Sequence, residues 1–99
     1  MDSTILSVER HRQLRQTAIQ IRRGVVESVH HAGAGHLGGP MSATELLTAL
    51  YFEVMNIDPQ QPDDPGRDRF ILSKGHCSIG LYATLAARGY FPEEELKTF

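Results

Sequence analysis

The sequence predicts an α/β layered fold, mostly helical over this stretch, with one or a few parallel strands. Three observations lead there. Several segments carry apolar residues at steps of three and four, the period of a helix. One short run, Arg69-Phe70-Ile71-Leu72-Ser73, has the look of a buried strand. A single strand cannot stand without neighbours, so the helices around it, each with an apolar face, imply a layered sheet whose other strands are supplied elsewhere. Residues 1–99 are therefore expected to be a fragment or one section of a larger protein.

The first helix is expected from about Ser7 to His31. Leu14, Ala18, Ile21, Val25 and Val29 form one stripe, and Arg15, Gln16, Gln20, Arg22, Arg23 and Glu27 lie mostly off it. Gly24 costs such a helix about 1 kcal/mol relative to alanine unless something packs closely on it. Gly33 suits a C-terminal cap. The stretch Gly33-Ala34-Gly35-His36-Leu37-Gly38-Gly39-Pro40 has four glycines and a proline in eight residues and reads as a loop. Ser42 and Glu45 have the spacing of a capping box. They would open a second helix with Ala43, Leu46, Leu47, Leu50, Tyr51 and Val54 on its apolar face, ending near Met55-Asn56. Residues 58–68, with three prolines and four aspartates, read as an exposed loop. In it, Asp68 between two arginines could form an ion pair. After the strand and the turn Lys74-Gly75-His76, a third helix is expected from Ser78 to Arg88, stopped by Gly89. Its inner side would carry Ile79, Tyr82, Leu85 and Ala86. Pro92 and Glu93 suit the first positions of a last helical turn.

Composition narrows the function classes. The 99 residues carry a formal net charge of −2 and no polybasic run, which argues against nucleic acid or an anionic membrane as partner. Apolar runs are too short for a transmembrane helix, and the start Met1-Asp2-Ser3-Thr4 lacks the features of a signal peptide. Cys77 is the only cysteine, so no internal disulfide is available. A cytoplasmic location is the expectation.

Two histidines stand where chemistry is plausible. His36 lies among glycines, which let backbone approach a ligand closely; an imidazole there could meet an anionic oxygen or move a proton near neutral pH. A helix-capping or solvent-facing histidine would look the same. His76 follows the expected strand and precedes a helix, the place where open α/β sheets bind ligands. Helix N–H groups there attract phosphate, and Lys74 could add a donor. A purely structural hydrogen bond is the plainer alternative. Metal binding is poorly supported: His30 and His31 are neighbours pointing about 100° apart on a helix, and no Cys-x-x-Cys or His-x-x-x-His spacing occurs. His30 fits a half-buried helix residue. Cys77 fits a small core residue better than a nucleophile, and Tyr51, Phe52, Phe70 and Tyr82 fit core positions.

Taken together, His31-Ala32-Gly33-Ala34-Gly35-His36-Leu37-Gly38-Gly39-Pro40-Met41-Ser42 and Asn56-Ile57-Asp58-Pro59, followed by Arg67-Asp68-Arg69-Phe70-Ile71-Leu72-Ser73-Lys74-Gly75-His76, resemble the two histidine loops of the transketolase family. The resemblance runs over roughly residues 14–99 and includes the ending Gly89-Tyr90-Phe91-Pro92. Two ordered motifs with a matched spacer are far more specific than either alone. The Lys-Gly-His form looks most like the split enzymes, whose N-terminal subunit carries the diphosphate-binding domain.

The resemblance implies a thiamine-diphosphate-dependent transferase that moves a two-carbon ketol unit from a ketose phosphate to an aldose phosphate. It implies that His76, with Gly75 beside it, contacts the diphosphate. It implies that His36 lines the site near the reacting carbon, touching cofactor and substrate oxygens and serving proton transfers. Partners implied are sugar phosphates, a C-terminal transketolase section or subunit, and a homo- or hetero-oligomer. No metal ligand is assigned in this chain. The Gly-Asp-Gly motif that anchors Mg2+ or another divalent cation is not in these residues, nor is a domain with the activating glutamate, so both are expected outside them. The 99 residues alone are expected to be inactive. Leu37 departs from the proline found after the first histidine in many members. Gly-His-Leu-Gly also occurs in deoxyxylulose-phosphate synthases, which join pyruvate to glyceraldehyde phosphate. A truncated remnant that only binds a partner subunit is the non-enzymatic alternative.

Overall fold

In the computed structural model of this chain the described residues are 6–33, 38–73 and 75–98, with His76 and Thr98 described through their backbone alone. The elements run in the order α1 (Val8–Ala32), α2 (Gly38–Ala49), a π-helical turn (Leu50–Val54), a 3-10 turn (Gly75–Cys77), α3 (Ser78–Arg88) and a closing 3-10 segment (Glu93–Thr98).

Helix α1 starts and stops where its sequence says it should. Ser7 is the N-cap, its Oγ accepting from the Arg10 N–H at 3.0 Å. Gly33 closes the helix in the left-handed conformation (φ 72°), which a residue without Cβ adopts freely, and its N–H donates to the Val29 and His30 carbonyls. The stripe is buried at Ala18, Ile21 and Val25. Gly24 is the close-packing point that its cost demands: a Cβ there would lie 3.3 Å from Leu96 Cδ1 and 3.4 Å from Ala83 Cβ. The core joins Ile21 and Val25 to Ala83, Ala86 and Leu96, with Met41, Phe52, Ile79 and Phe91 packed around it. Ile21→Ala removes a side chain that is 1 % exposed, and is expected to cost about 2–5 kcal/mol. Urea unfolding followed by circular dichroism measures it, and a cost under about 1 kcal/mol would contradict this core.

Helix α2 corrects the sequence expectation. It begins at Gly38, before Ser42, with Pro40 in its first turn, where a missing N–H breaks no bond. The capping box does not form. Ser42 Oγ instead donates to the Gly39 carbonyl at 3.1 Å, and Glu45 pairs with Arg22. The buried face is Pro40, Thr44, Leu47, Thr48 and Tyr51, while Leu46 and Val54 are 62 % and 67 % exposed. Threonine can be buried because its hydroxyl returns a bond to the carbonyl one turn back: Thr44 to Pro40 at 2.8 Å, Thr48 to Thr44 at 2.7 Å and Thr84 to Gly80 at 2.7 Å. No buried side-chain polar atom among the described residues lacks a partner.

The helix then widens by one residue per turn, and Met55 N–H reaches the Leu50 carbonyl at 2.8 Å. Two arginines take carbonyls in this wide turn. Arg88 Nε donates to Tyr51 O at 2.9 Å, and Arg10 Nη2 donates to Phe52 O while its Nε meets Glu53 at 2.6 Å.

The strand over Arg69–Ser73 is not formed. These residues have no regular structure, Phe70 is half-buried edge-on to Tyr51 at 6.1 Å between ring centres, and Ile71 is 85 % exposed. Among the described residues no second extended segment offers its N–H and C=O groups for pairing, so an isolated strand has nothing to hold it. The described architecture is thus all helical, in place of the mixed α/β pattern with one or a few strands. Asp68 also differs from expectation. It ties the loop by taking the Asn56 N–H at 2.6 Å and returning its own N–H to Asn56 O at 2.9 Å, and it forms no ion pair among the described residues.

Helix α3 spans Ser78–Arg88 and ends at Gly89 (φ 104°), as its sequence indicates. Its inner side is Gly80, Ala83, Thr84 and Ala86, again the small-residue side, and Tyr82 is exposed at 38 %.

Candidate functional site

The two loops that carry the candidate histidines each lead directly into a helix. His36 and Lys74 lie outside the described residues. Gly38 opens α2 directly after the first loop, and Gly75-His76-Cys77 forms a single 3-10 turn running straight into α3.

The starts of these two helices touch. Gly80, third in α3, lies against Pro40, third in α2: a Cβ on Gly80 would sit 3.2 Å from Pro40 Cα and 3.3 Å from Pro40 Cβ. The segments that follow the two histidine motifs, forty residues apart in sequence, therefore meet at one crossing. Short side chains make this possible, with Thr44 and Thr84 behind the contact fully buried.

The turn before α3 suits an anionic ligand. Cys77, the N-cap, makes no side-chain capping bond. The N–H groups at a helix start are left for other acceptors when no side chain takes them. Gly75 is exposed, and a Cβ on it would meet nothing within 4 Å. Cys77 itself is 4 % exposed, which makes it a core residue and not a solvent-facing nucleophile. His30 and His31 have their rings edge-on at 5.8 Å, and both are exposed, so the half-buried position expected for His30 is not what the fold gives it. Among the described residues no three of His, Cys, Asp and Glu come together as a metal site. No described helix is long and apolar enough to cross a membrane.

One arrangement escaped the sequence reading. Arg22 reaches from α1 to the start of α2, where Nη2 contacts the Met41 carbonyl at 3.5 Å and the Glu45 carboxylate. The guanidinium's hydrogen bond holds the Glu45 carboxyl below the usual carboxylate range, outweighing the small opposing effect of burial. Burial pushes the Tyr51 phenol up, and the nearby Tyr90 adds to this. Periodicity places Arg22 off the apolar stripe and gives no sign of its partner; only the fold shows it.

Comparison with known proteins agrees with this geometry. The family model described as "Transketolase, thiamine diphosphate binding domain" matches residues 14–99. A 6-deoxy-6-sulfo-D-fructose transketolase subunit from Clostridium sp. (strain MSTE9) is 49% identical over 90 residues, covering 91% of this chain and 33% of the relative. One of the apulose-4-phosphate transketolase subunits, from Phocaeicola vulgatus, is 48% identical over 77 residues, 78% of this chain and 27% of the relative. Transketolase from Homo sapiens is 40% identical over 83 residues, 84% of this chain and 13% of the relative. The chain thus spans about a third or less of these relatives. It belongs to the transketolase family, as part of its N-terminal, thiamine-diphosphate-binding domain.

Proposed function

We propose that this chain is the N-terminal part of a transketolase that moves a two-carbon ketol unit from a ketose phosphate to an aldose phosphate. The observation that carries this reading is the Pro40–Gly80 crossing, which joins the helices following both histidine motifs. Thiamine diphosphate, when bound, supplies the carbanion stabilisation. This chain's own residues orient it. His76 and the backbone at Gly75 hold the diphosphate at the uncapped start of α3. His36 serves the reacting end: its role is to touch cofactor and substrate oxygens and to move protons during donor cleavage and acceptor addition. Mg2+ or a similar divalent cation is assigned to residues elsewhere in the assembly, where the Gly-Asp-Gly motif is expected. A C-terminal transketolase section or subunit completes the site, a reading supported by relatives that are themselves called subunits.

The experiment is a donor panel on the assembled enzyme: a common ketose phosphate, apulose 4-phosphate, 6-deoxy-6-sulfo-D-fructose, and pyruvate with glyceraldehyde phosphate. Ketol transfer from at least one ketose and none from pyruvate is expected. Leu37 favours the synthase as second reading, and turnover with pyruvate alone would establish that one instead. The isolated 99 residues are expected to show no turnover with any donor.

A further inference from the structure

We infer that Arg22 is a positioning residue for the His36 segment: it clamps the first part of α2 onto α1 through the Glu45 carboxylate and the Met41 carbonyl. This deepens the functional reading above and rests on it for the role of His36.

The argument starts from the path of the chain. Helix α1 and the returning α2 with its π-helical turn form a hairpin, and Gly33 and Gly38 stand at its closed end, the tip. The separation and register of the two arms decide what the tip can do. One arm is ended firmly by the Gly33 cap. The other is held to α1 by two arginines of that helix. Arg10 grips Glu53 and the Phe52 carbonyl at the far end of the hairpin. Arg22 grips Glu45 and the Met41 carbonyl near the tip. Arg10 spreads its grip over Nε and Nη2, whereas Arg22 meets both of its acceptors with Nη2. Two such grips, twelve residues apart on a helix rising about 1.5 Å per residue, fix both sliding and rotation of the returning arm.

The grips are not equivalent in consequence. Arg10 lies more than three helical turns farther from the tip than Arg22. Met41 stands close behind the tip, and Pro40 beside it is the residue that meets Gly80 of α3. Loosening Arg22 therefore frees the start of α2, which follows His36 in the chain, where it joins the crossing. Loosening Arg10 relaxes the hairpin only at its open end. A surface ion pair contributes little stability by itself, and Glu45 is 64 % exposed, so the chief effect of the pair is on position.

The test compares Arg22→Ala with Arg10→Ala in the assembled enzyme. Arg22→Ala is expected to lower kcat about tenfold at saturating cofactor, as small misplacements of a reacting group do. The Kd for thiamine diphosphate should stay within about threefold. Arg10→Ala should keep kcat within about twofold, and Arg22→Lys should fall between. Independently of turnover, hydrogen–deuterium exchange of the peptide covering residues 33–41 should quicken in Arg22→Ala and not in Arg10→Ala. If Arg22→Ala proves poorly folded, Glu45→Ala and Glu45→Gln take its place, the glutamine retaining an acceptor and the greater activity. Equal kcat and equal exchange in the two arginine variants would overturn the inference. A wild-type assembly that neither binds thiamine diphosphate nor turns over would instead sink the functional reading, and the exchange comparison would still decide the clamp.

Discussion

Replacing His36 with alanine in the assembled enzyme is expected to lower kcat by roughly 100-fold or more, the range of a lost general acid–base group. Thiamine diphosphate affinity should fall by no more than about tenfold. The two effects separate because the proposed contacts separate. The cofactor's diphosphate is a multiply charged anchor and is assigned to the start of α3. His36 is proposed to serve the other end, where bonds break and protons move. An imidazole titrates near neutral pH and serves both directions of proton transfer, which alanine cannot do. Steady-state kinetics with saturating cofactor, paired with calorimetric titration, reads both quantities. A variant with near-normal kcat and strongly weakened cofactor binding would reverse the assignment and make His36 an anchor.

The helices were largely legible from sequence because their punctuation is local. Ser7, Gly33 and Gly89 act through bonds to residues three or four positions away, so the ends of α1 and α3 can be read from the chain itself. The buried faces of α2 and α3 were legible only in part: Leu47, Tyr51 and Ala86 are inside as expected. Counting apolar residues favours Leu46, Val54 and Tyr82, yet these are exposed, and Thr44, Thr48 and Thr84 are inside. A hydroxyl that returns a bond to its own helix is no longer a polar cost, and its small size lets two helices approach until Gly80 meets Pro40. A pattern rule that scores threonine as polar assigns that face to solvent. The strand failed for a different reason. Phe70, Ile71 and Leu72 have strand composition, but composition cannot supply a neighbour.

For the site, the sequence carried more than the described structure does. The two histidine motifs pointed to the family, and the match over residues 14–99 agrees with it. What the sequence could not supply is the contact between them. Forty residues separate His36 from His76, and only the Pro40–Gly80 crossing and the Arg22 grip show how the flanking helices are brought together. Neither signal is periodic, and neither side of either contact announces its partner in the chain.

His76→Ala is expected to weaken thiamine diphosphate binding about 10- to 100-fold, the loss of one hydrogen bond to a charged oxygen at about 1.5–3 kcal/mol. The geometry explains why the loss should be partial. Residues Gly75–Cys77 form one turn that feeds directly into α3, and the N-cap Cys77 makes no side-chain capping bond. Its first N–H groups and the positive end of its dipole remain in the variant and continue to attract a diphosphate. Gly75 offers a second way to weigh the same site. Its backbone approaches open space, so Gly75→Val would place a branched side chain where the diphosphate is proposed to lie, and should cost at least as much affinity as His76→Ala. Fold damage is a separate matter: Cys77 is buried beside this turn, so each variant needs a circular dichroism spectrum matching the parent. With that control in place, unchanged cofactor affinity in His76→Ala would remove His76 from the diphosphate contact and leave binding to the backbone of α3 alone.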